Sequence, residues 1–321
     1  MMSQISTDAA TLGQFVTEAL AGAGGLDVFR AAEKEPGARA EAVEKILTPF
    51  GVWDLDPHAD AAEFEAAATV ARAAGSFAVP YPVCERLASA DRSRSLLLVA
   101  GEGSNLGAHA DLDLAWTAVD PHGHRYEVKQ AASAPLGTRL GAFATRVDIR
   151  SHDDPTSADG RAEAAALMTL QGWWLLGLLE RCVADTSQYV QEREQFGRRL
   201  AAFQAVGFSI AEISVEVHKL EELAKYTLWS QWASTEASTA LVDALALRAA
   251  SLEAAERVLR GTHQLHGAMG FCDETDVSVL SRASHLVRRL PIGVEQTFEL
   301  LTDAVADHGL AGPFADPAEL A

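Results

Sequence analysis

With 321 residues, 48% of them hydrophobic, the chain is long enough for two or three domains with a real core. Abundant Ala with ordinary Gly and Pro reads as soluble, globular and helix-rich. A formal net charge of −19 argues against nucleic acid and anionic membrane surfaces as partners, although a few placed Arg residues can still hold an anionic cofactor.

The N-terminus, Met1 to Asp8, has neither a basic start nor an apolar core and does not read as a secretory signal. Residues 7 to 90 read as helices. Apolar positions recur at helical spacing in Ala10, Phe15, Val16 and Leu20, and in Ala42, Val43, Ile46 and Leu47. Ala61 to Ala74 is Ala-rich and carries Phe64, a good helix former. Gly75, Pro80 and Pro82 break the pattern, and Val83 to Ala88 resumes it. The texture changes near Ser93. Ser95 to Ala100, Asp113 to Val119, Arg125 to Val128 and Phe143 to Ile149 read as strands joined by turns. Asp153 to Ser157 looks like an exit linker.

From about Asp159 the pattern is long-helical again. Glu163 to Arg193, Phe203 to Trp232, Thr235 to Gln264 and Gly293 to Ala306 are the expected helices, and Pro313 to Ala321 reads as a loose tail. The most apolar stretch, Leu167 to Leu179, is too short to span a bilayer and carries Gln171 and Gly172. The expected fold is mainly α with a small β domain: an N-terminal helical domain over 1–92, a middle β domain over 93–152 and a C-terminal four-helix bundle over 153–321. Cys84, Cys182 and Cys272 are odd in number and far apart, with neither metal-ligand nor disulfide spacing. They read as reduced thiols, and the protein as cytoplasmic.

Two stretches carry chemistry. In the first, Tyr189 to Leu200, a charged helical turn reaches Arg193, then Phe196, then Gly197. Gly197 suits the position just past a helix end, where the backbone turns left-handed at no Cβ cost. Arg193 would then share a helical face with Phe196, so that a guanidinium grips phosphate while a ring packs on a flat heterocycle. The plain alternative is a solvated helix end with one core Phe, since charge runs on helices usually face water. The second stretch is Gln264-Leu265-His266-Gly267-Ala268-Met269-Gly270-Phe271.

In this order, with a helical run between them, the two stretches resemble the acyl-CoA dehydrogenase family. The first is similar to its Arg-x-x-Phe-Gly segment, including the following Phe203-Gln204. The second is similar to its Gln-x-x-Gly-Gly-x-Gly-Phe loop, with Ala268 in place of the second Gly. The resemblance is firm over about residues 160 to 290, and it implies the three-part architecture expected above.

It also implies an activity: oxidation of an acyl-CoA thioester to the 2,3-enoyl-CoA, with FAD as cofactor and electron-transfer flavoprotein as acceptor. Such chemistry needs a carboxylate base in a dry pocket, a flavin against the Cα–Cβ bond and donors to the thioester carbonyl. Counting along the family pattern places the base near Pro291 or near Leu167. Neither position is acidic. Glu295 would need a register shift and is the fallback base, while Glu163 and Glu180 read as surface or salt-bridging residues. The family's flavin bed, a Tyr-x-x-Thr-Glu-Pro-x-x-Gly-Ser-Asp-like run, is reduced to a faint echo at Gly103-Ser104-Asn105. No βαβ unit surrounds Gly101 to Gly107, so this is no dinucleotide fingerprint.

The losses are selective. In the family, Arg193, Phe196, Gln264, Gly267 and Ala268 correspond to elements that reach across an interface to FAD held mainly by a neighbour. The chain thus looks like the glutamate-lacking subunit of the actinobacterial heterotetrameric acyl-CoA dehydrogenases of steroid side-chain degradation, with a homologous Glu-bearing subunit as its partner. A self-sufficient homotetramer and a scaffold that touches no flavin are the alternatives. Other signals are weak. His263 and His266 are i and i+3 with no third ligand nearby. Trp173-Trp174 reads as core or interface. No Ser has a Gly-x-Ser-x-Gly setting.

Overall fold

A computed structural model describes residues 4–136, 141–151, 158–233 and 237–310. The expected linker at 153–157 and the tail from Pro313 lie outside them. The chain opens with helices α1 (Thr7–Gly22), α2 (Asp27–Lys34), α3 (Arg39–Leu47), α4 (Ala61–Ser76) and the short α5 (Val83–Leu87). Asp60 starts α4, its carboxylate accepting from the Glu63 N–H at 2.9 Å and so satisfying an orphan donor of the first turn.

Next come β1 (Ser95–Leu98), β2 (Gly103–Ala108), β3 (Trp116–Val119), β4 (Arg125–Ala131) and β5 (Ala144–Ser151). They form one five-stranded sheet in the order β1-β3-β4-β5-β2. Only the β1–β3 pair is parallel. The sequence reading missed β2, because its glycines and Asn105 are poor strand formers and its pairing with β5 is set by tertiary context.

The remainder is helical: α6 (Ala158–Glu192), α7 (Gln204–Ala233), α8 (Ala237–His266), α9 (Asp276–Arg289) and α10 (Val294–His308). The four long segments expected from periodicity are α6, α7, α8 and α10. The sequence reading did not anticipate α9, although Val277, Leu280, Ala283 and Leu286 bury one face at helical spacing. α6 is long and apolar enough to cross a membrane, but 94% of its apolar window is buried inside the protein.

One apolar core runs through α1–α5 and the bundle, and a smaller one lies within the sheet around Leu97, Trp116 and Ile149. α4 crosses α6 glycine to backbone. A Cβ on Gly75 would lie 1.8 Å from the Trp174 carbonyl oxygen, and one on Gly177 1.9 Å from that of Arg72.

A candidate cofactor cleft and a closed pocket

α6 stops at Glu192, and the next residues do not form a helix cap. Glu194–Gln195 pairs antiparallel with Arg198–Arg199, so Phe196 and Gly197 make a two-residue hairpin turn with φ of 55° and 77°. This corrects the expected helix-end role of Gly197. Positive φ at both central positions gives the turn a twist that matches its flanking strands, and that hairpin displaces the helical continuation. Phe196 therefore shares no helical face with Arg193. It stands at the hairpin tip, 89% exposed, its ring edge-on to Phe203 at 6.3 Å.

Arg193 itself continues the last turn of α6, its N–H bonding the Tyr189 carbonyl at 2.8 Å. It opens onto a cleft of about 540 Å³ whose walls include Tyr189, Gln264, His266, Gly267 and Ala268. Residues more than seventy positions apart in sequence thus share one site, because α6 and α8 end side by side. Phe196 is not part of its lining. No hydrogen bond or ion pair engages the side chains of Arg193 and Gln264 among the described residues. At the end of α8, Gly267 turns left-handed at φ 59° with open space where a Cβ would be. Ala268 is exposed and needs no such φ, which is why Ala serves where the family pattern has Gly. His266 stacks on Tyr189 with ring centroids 4.3 Å apart, and His263 stacks on Phe271 at 5.0 Å. Among the described residues no group of three His, Cys, Asp or Glu could hold a metal ion.

Both expected base positions flank a second feature. Leu167 is fully buried, and Gln171, one turn on, lines a small, narrow pocket. Leu286 and Val287, one turn before Pro291, line the same cavity from α9. Phe143, Tyr81 and Trp174 are among its walls, and the space between them is about 30 Å³, room for roughly two water molecules. Its carboxylate is Glu85, from α5, which the sequence reading overlooked; the available signal was a lone acid inside the short apolar turn Val83 to Leu87. Gln171 Nε2 donates to Glu85 Oε1 at 3.2 Å, and burial pushes the Glu85 carboxyl up to about 7. Gln171 Oε1 accepts from buried Arg248 at 3.3 Å, and Arg248 also donates to the Leu290 and Ile292 carbonyls at 3.0 and 2.9 Å. Across the cavity His109 is buried, its Nδ1 without a hydrogen-bond partner, and burial holds its pKa well below the usual histidine range.

The acyl-CoA dehydrogenase C-terminal domain matches residues 168–296. Over that stretch, less than half of its length, the chain is similar to the acyl-CoA dehydrogenase family. It is 27% identical over 126 residues to the short-chain-specific acyl-CoA dehydrogenase of Megasphaera elsdenii, a match covering 37% of this chain and 32% of that protein. The chain spans about a third of the length of such curated relatives. Its fold is also that of the family. A variant of the Tcur3481-Tcur3483 steroid acyl-CoA dehydrogenase superposes with a TM-score of 0.77 at 18% identity, covering 95% of this chain and 99% of that one. The ChsE4-ChsE5 complex from Mycobacterium tuberculosis gives 0.75 at 17% identity, covering 94% and 98%.

Against the family pattern, the remaining carboxylates take structural roles. Glu163 is buried, accepting from the Ala90 N–H at 2.8 Å and pairing with Arg125 at 2.5 Å. Glu180 pairs with Arg72. The fallback Glu295 sits exposed in the first turn of α10 and does not line the closed pocket, so it lacks the dry surroundings a base needs. The β1–β2 loop is tied to itself. Asn105 Nδ2 donates to the Gly101 and Gly103 carbonyls at 2.8 and 3.1 Å, and its Oδ1 accepts from the Ala100 N–H at 3.0 Å. The family cofactor therefore fits this chain at one end only. The cleft offers an unpaired guanidinium, a free amide and an unobstructed glycine turn, a donor set suited to a diphosphate. Asn105 spends its amide on its own segment, which lacks the Thr and Pro of the family's flavin bed.

Proposed function

We propose that this chain is the subunit of an FAD-dependent acyl-CoA dehydrogenase complex that lends cofactor-binding residues to a homologous, Glu-bearing partner. The observation that carries this reading is the pairing of an open, uncommitted Arg193 cleft with a closed pocket at both base positions. FAD, when bound, supplies the hydride acceptor. In this reading Arg193 holds its diphosphate, Gln264 and the Gly267–Ala268 backbone orient it, and Phe196 extends from the hairpin tip toward the partner. The partner supplies the base, and electrons leave to electron-transfer flavoprotein. The steroid acyl-CoA dehydrogenase Tcur3481-Tcur3483 and the two-component ChsE4-ChsE5 complex support a heteromeric assembly, here read as a heterotetramer, and the first supports a steroid CoA ester, here read as a side-chain ester, as substrate. A cytoplasmic location and domain divisions near residues 93 and 153 complete the reading.

Gel filtration of the chain alone and co-expressed with a homologous Glu-bearing subunit tests it. Flavin absorbance is expected only in the co-expressed peak. Stoichiometric flavin on the lone chain would overturn it. One observation favours a second reading, a self-sufficient enzyme with a relocated base: Glu85 is a buried carboxyl that ionises near neutrality. It would require the pocket to open, and turnover by the lone chain that Glu85→Gln abolishes would establish it.

A further inference from the structure

The β3–β4 connection, Asp120-Pro121-His122-Gly123-His124, carries two imidazoles on one braced turn, and none of these residues lines the cleft or the narrow pocket. The turn closes on itself. The Gly123 N–H donates to the Asp120 carbonyl, and the Asp120 N–H to the His124 carbonyl, each at 3.0 Å. Buried Asp120 ties it further, its Oδ1 accepting from the His122 and His124 backbone N–H groups at 2.9 Å. Gly123, at φ 88°, seats the turn against the start of α6, where a Cβ on it would lie 2.3 Å from the Arg161 Cγ. The second Asp120 oxygen, Oδ2, accepts from the Tyr126 hydroxyl and from His124 Nδ1, again at 2.9 Å. A carboxylate only accepts, so His124 Nδ1 carries a hydrogen, and in the neutral ring Nε2 keeps its lone pair. The His122 ring is exposed and makes no hydrogen bond among the described residues. The two ring centroids are 5.9 Å apart.

We propose that His122 and His124 together bind one divalent transition-metal ion, copper(II) in preference to zinc(II). An ion roughly 2.0–2.1 Å from each nitrogen lies about 3 Å from each ring centre, so two rings 5.9 Å apart can share it. Asp120 is the positioning residue. A carboxylate that takes the hydrogen of the far ring nitrogen fixes the tautomer and the ring, and raises the basicity of the nitrogen that ligates. An imidazole pair without thiolate suits copper, nickel or zinc, and copper(II) stands highest in that order. No third His, Cys, Asp or Glu joins the pair as a ligand among the described residues, so water fills the rest of the sphere. The other closely spaced pair, His263 and His266, is committed elsewhere. Each stacks on an aromatic ring, and His266 Nδ1 bonds the Thr262 carbonyl at 2.9 Å.

The test titrates the full chain with copper(II), read by equilibrium dialysis and by electron paramagnetic resonance. A single tightest site per chain is expected, its spectrum showing coupling to two imidazole nitrogens. His122→Ala removes an exposed ring while the backbone N–H that Asp120 holds remains, so the turn should fold as before. It is expected to weaken the tightest site at least roughly tenfold and to leave coupling to one nitrogen. His124→Ala should do the same. Asp120→Asn, which loses an acceptor for His124 Nδ1, should cost about tenfold to a hundredfold in affinity. Zinc(II) should compete for the same site but bind more weakly. Melting curves identify any variant that fails to fold, and His122→Ala decides alone if the buried Asp120 position does not tolerate Asn. A wild type that binds no copper(II) overturns the proposal. So does a tightest site whose affinity and spectrum survive His122→Ala, or one lost in that variant but kept in His124→Ala, since the pair then does not share the ion. Wild-type affinity in a folded Asp120→Asn variant overturns the positioning role of Asp120.

Discussion

Glu85 is an acid held where ionisation is costly, and that has a pH consequence. Its folded pKa is about 7, against 4.5 for the ordinary side chain, with burial the largest cause. Between those values the unfolded chain releases the proton first. Stability is therefore fully present below about pH 4.5, falls as pH rises toward 7, and is flat beyond. The 2.5-unit difference corresponds to roughly 3 kcal/mol. Glu85→Gln keeps the hydrogen bond to Gln171 but never ionises. It is expected to raise the melting temperature at pH 8 and to leave it nearly unchanged at pH 4.5. Identical pH–melting curves for the two proteins would refute this account of the pocket. Arg193 is the opposite case, a charge exposed to solvent with no side-chain partner among the described residues. In the complex, Arg193→Ala is expected to cost roughly 1.5–3 kcal/mol, about tenfold to a hundredfold in FAD retention on gel filtration. Arg193→Lys should restore only part, since a point charge cannot reproduce a bidentate fork. The lone subunit should melt as before, because an exposed Arg adds little stability. Unchanged flavin content with a large drop in melting temperature would mark Arg193 as a structural residue.

The elements show where reading a sequence succeeds and where it stops. Periodicity located α6, α7, α8 and α10, because long helices with one buried stripe repeat their signal many times. It failed at the Phe196-Gly197 turn. There the local charge run reads as helix, and only the pairing of Glu194–Gln195 with Arg198–Arg199 makes a hairpin. The motif residues were legible. Their gathering into one cleft was not, since it depends on α6 and α8 ending side by side. The α4–α6 crossing was equally hidden, because nothing local distinguishes a packing glycine from a tolerated one. Gly177→Ala would drive a methyl to within 1.9 Å of the Arg72 carbonyl oxygen. Backbone cannot yield as a side-chain tip can, so destabilisation of about 3 kcal/mol or more is expected in chemical denaturation. Gly207→Ala, on an exposed face of α7 with nothing within 4 Å, is the control and should stabilise by up to about 1 kcal/mol. Similar losses for both variants would mean that helix crossing distance does not govern this core.

At the scale of the whole molecule, the proposed division of labour predicts where activity will appear. Composition and periodicity made the helix–sheet–bundle order legible, and family counting located the two non-acidic base positions. What the sequence did not reveal is that Gln171 and Val287, each one turn from those positions, face one cavity, which Phe143, Tyr81 and Trp174 also line. An acyl chain cannot occupy a space with room for roughly two waters. The Asn105 amide is likewise spent on its own segment, where the family pattern places a flavin bed. In the proposed division of labour, the narrow pocket and the altered segment around Asn105 are independent obstacles, so repairing one should not restore activity. The lone chain with added FAD and acyl-CoA is accordingly expected to show no dehydrogenation above background, measured by reduction of an artificial electron acceptor. Introducing an acid at either base position, Leu167→Glu or Pro291→Glu, should leave it inactive. Co-expression with a Glu-bearing partner should give turnover that the partner's base, and no carboxylate of this chain, controls. Family-typical turnover by the lone chain would refute the division of labour. In that event Glu85→Gln and Glu295→Gln would assign the base, with loss of activity in the first placing it in the closed pocket and loss in the second placing it on α10.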